Sequence, residues 1–132
     1  MESLRVETKN RVELIDITKK IQEAVNKTGI KDGIVVVYTK HTTTALIINE
    51  NEEGLKEDIL FLLNKLIPAS ENYKHNKIDN NADSHLRSIL LGNSLVIPLV
   101  NSKLGLGTWQ RVFFVELDGP RSRTIYVKVI SG

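Results

Sequence analysis

At 132 residues, with 41% hydrophobic and 26% charged side chains, the chain has the size and make-up of one globular domain, which excludes disordered, fibrous and disulfide-stapled classes. Its 18 basic and 16 acidic residues, a formal charge of +2, are interspersed, so no basic stripe tracks a nucleic-acid backbone and only Arg121, Arg123 and Lys128 concentrate locally. The absence of cysteine leaves imidazole, carboxylate or amide oxygen as the metal ligands open to it, and the lack of a signal-peptide core or of an apolar run near ~18 residues makes a soluble cytoplasmic protein with no membrane partner the expectation.

The N-terminal runs Leu4–Thr8 and Val12–Ile17, separated by Lys9-Asn10-Arg11, read as two strands of an opening hairpin. Thr18 then caps a helix whose Ile21, Ala24 and Val25 fall at helical spacing, ending near Gly29. The β-branched run Ile34–Tyr38 is expected to be a central strand covered on both faces. Strand character resumes over Thr42–Asn49. Glu52 and Glu53 precede an amphipathic helix carrying Leu55, Ile59, Leu62, Leu63 and Leu66 and stopped by Pro68. A polar loop leads into Tyr73–Gly92, whose second half is helical with Leu86, Ile89 and Leu90 on one face. Leu95–Val100, Arg111–Leu117 and Thr124–Ile130 are strands, punctuated by the turns Asn101-Ser102-Lys103 and Asp118-Gly119-Pro120. The mixture predicts a β-rich α+β domain of largely antiparallel sheets, a sandwich with about three helices.

Chemistry centres on the three histidines. His41 opens the string HTTTALIINE, where Thr42 and Thr43 add hydroxyls at the mouth of a strand. His75 lies in a turn-rich loop. His85 lies just inside a helix start, four residues past Asn81, and backbone N–H groups there favour anions. If the three imidazoles converge, they make an acid/base site or hold a divalent ion, Mg or Zn, with a position open for water or substrate. Asp83 stands where an acid caps a helix. Gly107, Thr108, Trp109 and Gln110 combine permissive backbone, polar contacts and a flat ring for stacking; the bland alternative is a hairpin loop with Trp109 in the core. Arg121 and Arg123 project to one side, as a phosphate clamp or as a partner for Glu116.

The segments HTTTALIINEN (41–51), YKH (73–75), NNADSHLRSILLG (80–92), IPLV (97–100), LGTWQ (106–110) and ELDGPRSR (116–123), in this order and spacing over nearly the whole chain, resemble the YjbQ family, which is associated with a secondary thiamine-phosphate synthase activity. The resemblance implies a homotrimer of compact β-rich subunits. It also implies a polar cluster of His41, Thr42, His75, the Asn80–His85 segment, Gly107–Gln110 and Arg121. Some relatives carry acids where this chain has Asn76, Asn80 and Asn81, which moves any catalytic carboxylate here to Asp79 or Asp83. The expectation is coupling of a pyrimidine pyrophosphate to a thiazole phosphate, with His85 moving a proton. The rivals are metal-assisted hydrolysis of a small phosphorylated metabolite, and a non-catalytic trimer that binds a metal or anion.

Overall fold

In the computed structural model, which describes residues 1–132, the strands form two sheets whose pairings are all antiparallel. β1 (Glu2–Glu7), β3 (Gly33–Thr39), β5 (Ser94–Val100), β6 (Lys103–Leu104) and β8 (Ser122–Ser131) make one sheet in the order β1-β8-β3-β5-β6. β2 (Glu13–Asp16), β4 (Thr44–Asn49) and β7 (Arg111–Glu116) make the other, with β7 central. The expected opening hairpin is not formed. β1 pairs with β8 and β2 with β7, so Lys9–Val12 carries the chain from one sheet to the other.

Alternation along each strand decides the layers. Val35, Val37, Ile97, Leu99, Ile125 and Val127 of the large sheet meet Leu46, Val112 and Phe114 of the small one, joined by Ile21, Ala24 and Val25 of α1 (Thr18–Thr28). Phe114 is wholly buried, worth roughly 2–3 kcal/mol of apolar burial. The opposite face of the small sheet presents Ala45, Val115 and Leu117, covered by Leu63 of α2 (Glu53–Leu66) and Leu91 of α3 (Ala82–Leu91). The order is therefore large sheet, small sheet, then α2 and α3, with α1 packed on the core between the sheets. β3 is central as expected, but only one of its faces is covered: Ile34 and Tyr38 point out of the large sheet beside Val96, Val100 and Ile130, all exposed.

The helix signals hold with shifts of detail. Thr18 is the first residue of α1 and does not cap it; Asp16 Oδ1 instead accepts from the Thr18 amide and hydroxyl, at 3.0 and 2.7 Å. Gly29 ends α1 in the left-handed conformation at φ 70°, which glycine adopts without penalty. Glu52 caps α2 through the amides of Gly54 and Leu55.

Three crossovers between the sheets lie at the same end of the sandwich, Lys9–Val12 and the two that frame the site. The first of that pair, Lys40–Thr43, joins β3 to β4; β4 begins at Thr44 rather than Thr42 because residues 42 and 43 turn. The second, Leu117–Arg121, joins β7 to β8. A side chain at Gly119 would meet the Asn10 carbonyl oxygen at 2.4 Å, so only glycine lets these loops pack.

Candidate functional site

The Lys40–Thr43 and Leu117–Arg121 crossovers are anchored by a buried ion pair. Parity along β7 and β8 points Glu116 and Arg123 inward between the sheets, and both are buried. The Glu116 carboxylate accepts from Arg123 Nε at 2.8 Å, Thr8 Oγ1 at 2.8 Å, and the amides of Leu117 and Asp118 at 3.0 and 3.1 Å. Burial, the largest single influence, would raise its carboxyl, but the bonds from Arg123, the Asp118 amide and Thr8, together with the Arg123 charge, hold it below the ordinary range. Arg123 Nη2 also donates to Thr43 Oγ1 at 3.0 Å. Thr43, expected to bind substrate, is thus buried and committed to the scaffold, and Arg123 serves Glu116 rather than an external phosphate.

This anchoring sets His41. Its Nε2 accepts the Thr124 backbone N–H at 3.0 Å. A backbone amide only donates, so the ring proton of neutral His41 sits on Nδ1. Burial, followed by the charge of Arg123, lowers the His41 pKa, and the ring stays a neutral donor.

Across from this crossover lies α3. His85, Ser88, Ile89 and Gly92 follow at helical steps on one face. With Lys40, His41 and Thr42 they wall an open groove of about 570 Å³. The lining is Tyr38–Thr42 on one side and His85, Ser88, Ile89, Gly92 and Asn93 on the other; it holds no carboxylate. The His85 ring is also on the wall of an adjoining hollow of about 450 Å³ with Tyr73, His75 and Leu86. His75, from the 3-10 turn Lys74–Lys77, meets His85 edge-on, with ring centres 4.8 Å apart and planes at 79°.

The expected residues therefore divide. His41, Thr42 and His85 line the groove. His75 stands behind His85 and bonds Asn81 Oδ1 at 3.0 Å, while Asn81 Nδ2 donates to Asp118 Oδ2 at 2.8 Å. Both polar ends of Asn81 are thus used inside the protein, which corrects its expected role as an anion ligand. Arg121 is exposed and fixed by Asp118, through Nε to the Asp118 carbonyl at 2.8 Å and Nη2 to the carboxylate at 3.2 Å. It lies near enough to His41 for its charge to depress the imidazole.

Asp83 and Asp79 do not reach the groove. Asp83 is wholly buried, paired with Arg11 by two bonds of 3.1 Å and with Arg87 at 3.6 Å. Burial would raise its carboxyl, but the Arg11 hydrogen bond and the two arginine charges hold it low. A carboxylate so held neither gives nor takes a proton near neutral pH, so its place is structural. Asp79 is exposed and its Oδ1 accepts the Asn80 amide at 2.8 Å, a local turn.

Gly107, Thr108, Trp109 and Gln110 lie at the other end of the small sheet. The β4–β7 ladder runs from Thr44 opposite Glu116 to Asn49 opposite Arg111, a span of about 17 Å at ~3.4 Å per residue. There the Gly107 amide bonds Gln110 Oε1 at 2.8 Å. Trp109, 72% exposed, borders a hollow with Asp16, Glu50, Glu52 and Arg111. Burial would raise the Asp16 carboxyl, but bonds from Arg111, Thr18 and Asn51 hold it at about 2.

The expected metal cage also fails within one chain. No three His, Cys, Asp or Glu side chains are grouped to hold a metal ion. His41 has spent its lone-pair nitrogen on Thr124, and the groove offers no carboxylate. This donor set does not fit a resident Mg or Zn ion. Sequence reading overlooked Arg11, Lys40, Ser88, Asn93 and Asp118. Only Lys40, a base beside a histidine, carried a legible signal.

A family model described as "UPF0047 protein YjbQ-like" matches residues 2–132. A UPF0047 protein of Archaeoglobus fulgidus is 54% identical over 127 residues, covering 96% of this chain and 98% of its own. The UPF0047 protein YugU of Bacillus subtilis is 36% identical over 131 residues, 98% of each. Among solved structures, a hypothetical protein of Aeropyrum pernix superposes with TM-score 0.96 at 42% identity, over 99% of this chain and 98% of that one. No helix is long and apolar enough to cross a membrane. The chain belongs to the YjbQ-like UPF0047 family.

Proposed function

We propose that the groove between the Lys40–Thr43 crossover and α3 binds a small phosphorylated metabolite, and that the protein is a thiamine-phosphate-synthase-like transferase acting there. The observation that carries this reading is the lining: Lys40, the neutral His41 donor, Thr42, His85 and Asn93, with no carboxylate to repel an anion. Joining a pyrimidine pyrophosphate to a thiazole phosphate brings two anions together and expels a third. Such a reaction is helped by donors already aimed at the developing charge. The Nδ1–H of His41 supplies one; Lys40, whose ammonium rests over the Tyr126 ring at 4.7 Å, adds positive charge at the groove wall, and Arg121 stands nearby.

The His85 amide bonds the Asn81 carbonyl in the first turn of α3, but its imidazole makes no hydrogen bond within the chain, which leaves the ring able to pass a proton to the departing pyrophosphate. The thiazole nitrogen forms the new C–N bond as the C–O bond to pyrophosphate breaks. The test is incubation with both substrates, with either alone, and with neither. Product requiring both supports coupling; consumption of one alone supports hydrolysis. Saturable thermal stabilisation without product supports the non-catalytic anion-binding role, which the lack of a carboxylate base favours.

The same reading includes assembly into a homotrimer. Support comes from the exposed apolar residues of the large sheet, Ile34, Val96, Val100 and Ile130, the kind of surface that marks a contact. Trp109 and its loop lie too far along the ladder to reach the groove of their own subunit, so any part they take in it is from a neighbouring copy. Light scattering at a mass other than three subunits would contradict this assembly.

A further inference from the structure

His85 is held in the groove wall by packing alone. Its fixed polar neighbour is the His75 ring, set edge-on at 4.8 Å. His75 has a defined hydrogen-bond partner, and that partner has its own. The Asp118 carboxylate only accepts, so Asn81 must present Nδ2 to it, at 2.8 Å. That choice turns Asn81 Oδ1 toward His75 Nε2, at 3.0 Å, and makes this nitrogen the donor.

The chain is anchored at both ends. The Asp118 amide donates to the buried Glu116 carboxylate at 3.1 Å, which ties the relay to the ion pair of the core. Asn81 is itself 6% exposed. At the far end, Asn76 Oδ1 accepts the Ala82 amide at 3.1 Å and so fastens the His75 turn to the start of α3. A surface histidine that merely faced solvent would need none of this.

We propose that Asp118 and Asn81 are positioning residues: they lock the His75 ring, through the sequence Asp118–Asn81–His75, into the edge-on orientation that holds His85 in the groove. His75 then acts as the packing support of His85 rather than as a ligand. The functional part of this inference rests on the groove being the reaction site; the structural part does not.

The experiment uses full-length protein labelled with 15N in its histidines, the signals being assigned with the variants His41→Gln and His75→Gln. In the wild type the His75 Nε2–H proton is expected to be protected from solvent exchange and visible. It is expected to persist in Asp118→Asn, whose amide oxygen still accepts from Asn81. It is expected to be lost to exchange in Asp118→Ala and Asn81→Ala, because Asn81 is then free to turn or is gone. The 15N shift of His41 Nε2, which accepts the Thr124 amide, is the control: unchanged in each variant, it reports an intact fold around the groove.

In coupling assays Asp118→Ala lowers kcat by tenfold or more with KM within twofold, and Asp118→Asn restores most of kcat. Persistence of the His75 signal in Asp118→Ala overturns the proposal, as does its loss with kcat unchanged. A wild type that couples nothing defeats the proposed reaction, while the imidazole signal, read without substrate, still decides whether the relay exists.

Discussion

Replacing Arg123 by Met removes the cation that neutralises a wholly buried carboxylate. Glu116 would keep the Thr8 hydroxyl and the amides of Leu117 and Asp118, three neutral donors facing a full charge between the sheets. Breaking one side of such a pair costs about 3–5 kcal/mol, a large part of the ~5–15 kcal/mol that holds a domain together. For a chain of this length that corresponds to a fall in Tm of roughly 10–20 °C. The Thr43 turn loses its Arg123 bond as well, so His41 loosens with it.

Urea unfolding at pH 7, with the m-value unchanged, measures the loss. Two controls sharpen it. Adding Glu116→Gln to Arg123→Met recovers about half of the lost stability, since the amide oxygen still accepts and no charge is left unpaired. The cost of the single variant also shrinks in acid: without Arg123 the folded-state carboxyl titrates above its unfolded value, so protonation relieves the buried charge as pH falls through that range. An Arg123→Met protein within 1 kcal/mol of wild type, or a double variant no better than the single one, would refute the anchoring role.

His85→Ala is expected to reduce coupling turnover by about 100-fold or more while leaving Tm within a few degrees; equal turnover removes His85 from the reaction. Asp83→Asn is expected to cost about 3 kcal/mol by leaving the buried Arg87 without its carboxylate, and a urea midpoint like that of wild type would contradict its structural assignment. The His41 imidazole has a folded pKa below its unfolded value of about 6.5. Below that value the unfolded chain takes up the proton first, so stability present above pH ~6.5 declines as pH falls. His41→Gln, whose side-chain oxygen can accept the Thr124 amide, flattens this decline, and an unchanged slope would count against burial and the Arg123 charge depressing His41.

The sequence reading recovered what depends on local pattern. β3, α2 and α3 follow from β-branched runs and apolar spacing, and the Asp118-Gly119-Pro120 turn from its composition. What it missed depends on long-range parity. Nothing near Lys9–Val12 signals that the chain changes sheets there, because a turn of polar residues serves a hairpin and a crossover equally well. The residues of the site divide on the same ground. His41, Thr42 and His85 stand out by type, and the fold brings them to one groove.

Arg11 resembles any solvated turn residue, yet it neutralises Asp83 from 72 positions away. Trp109 looks like a stacking platform in any reading of its loop, and only the register of β4 against β7 shows it a sheet's length from His41. Gly119 illustrates the converse case. It was legible as a turn residue, while its necessity comes from the Asn10 backbone packed against it.

Calorimetric titration with inorganic pyrophosphate asks whether the carboxylate-free groove receives a phosphorylated anion. Saturable binding by the wild type is expected, weakened tenfold or more in the double variant Lys40→Ala, His85→Ala and unchanged in Asp79→Ala, which lies outside the groove. No saturation in the wild type, or equal affinity in the double variant, would contradict binding in the groove.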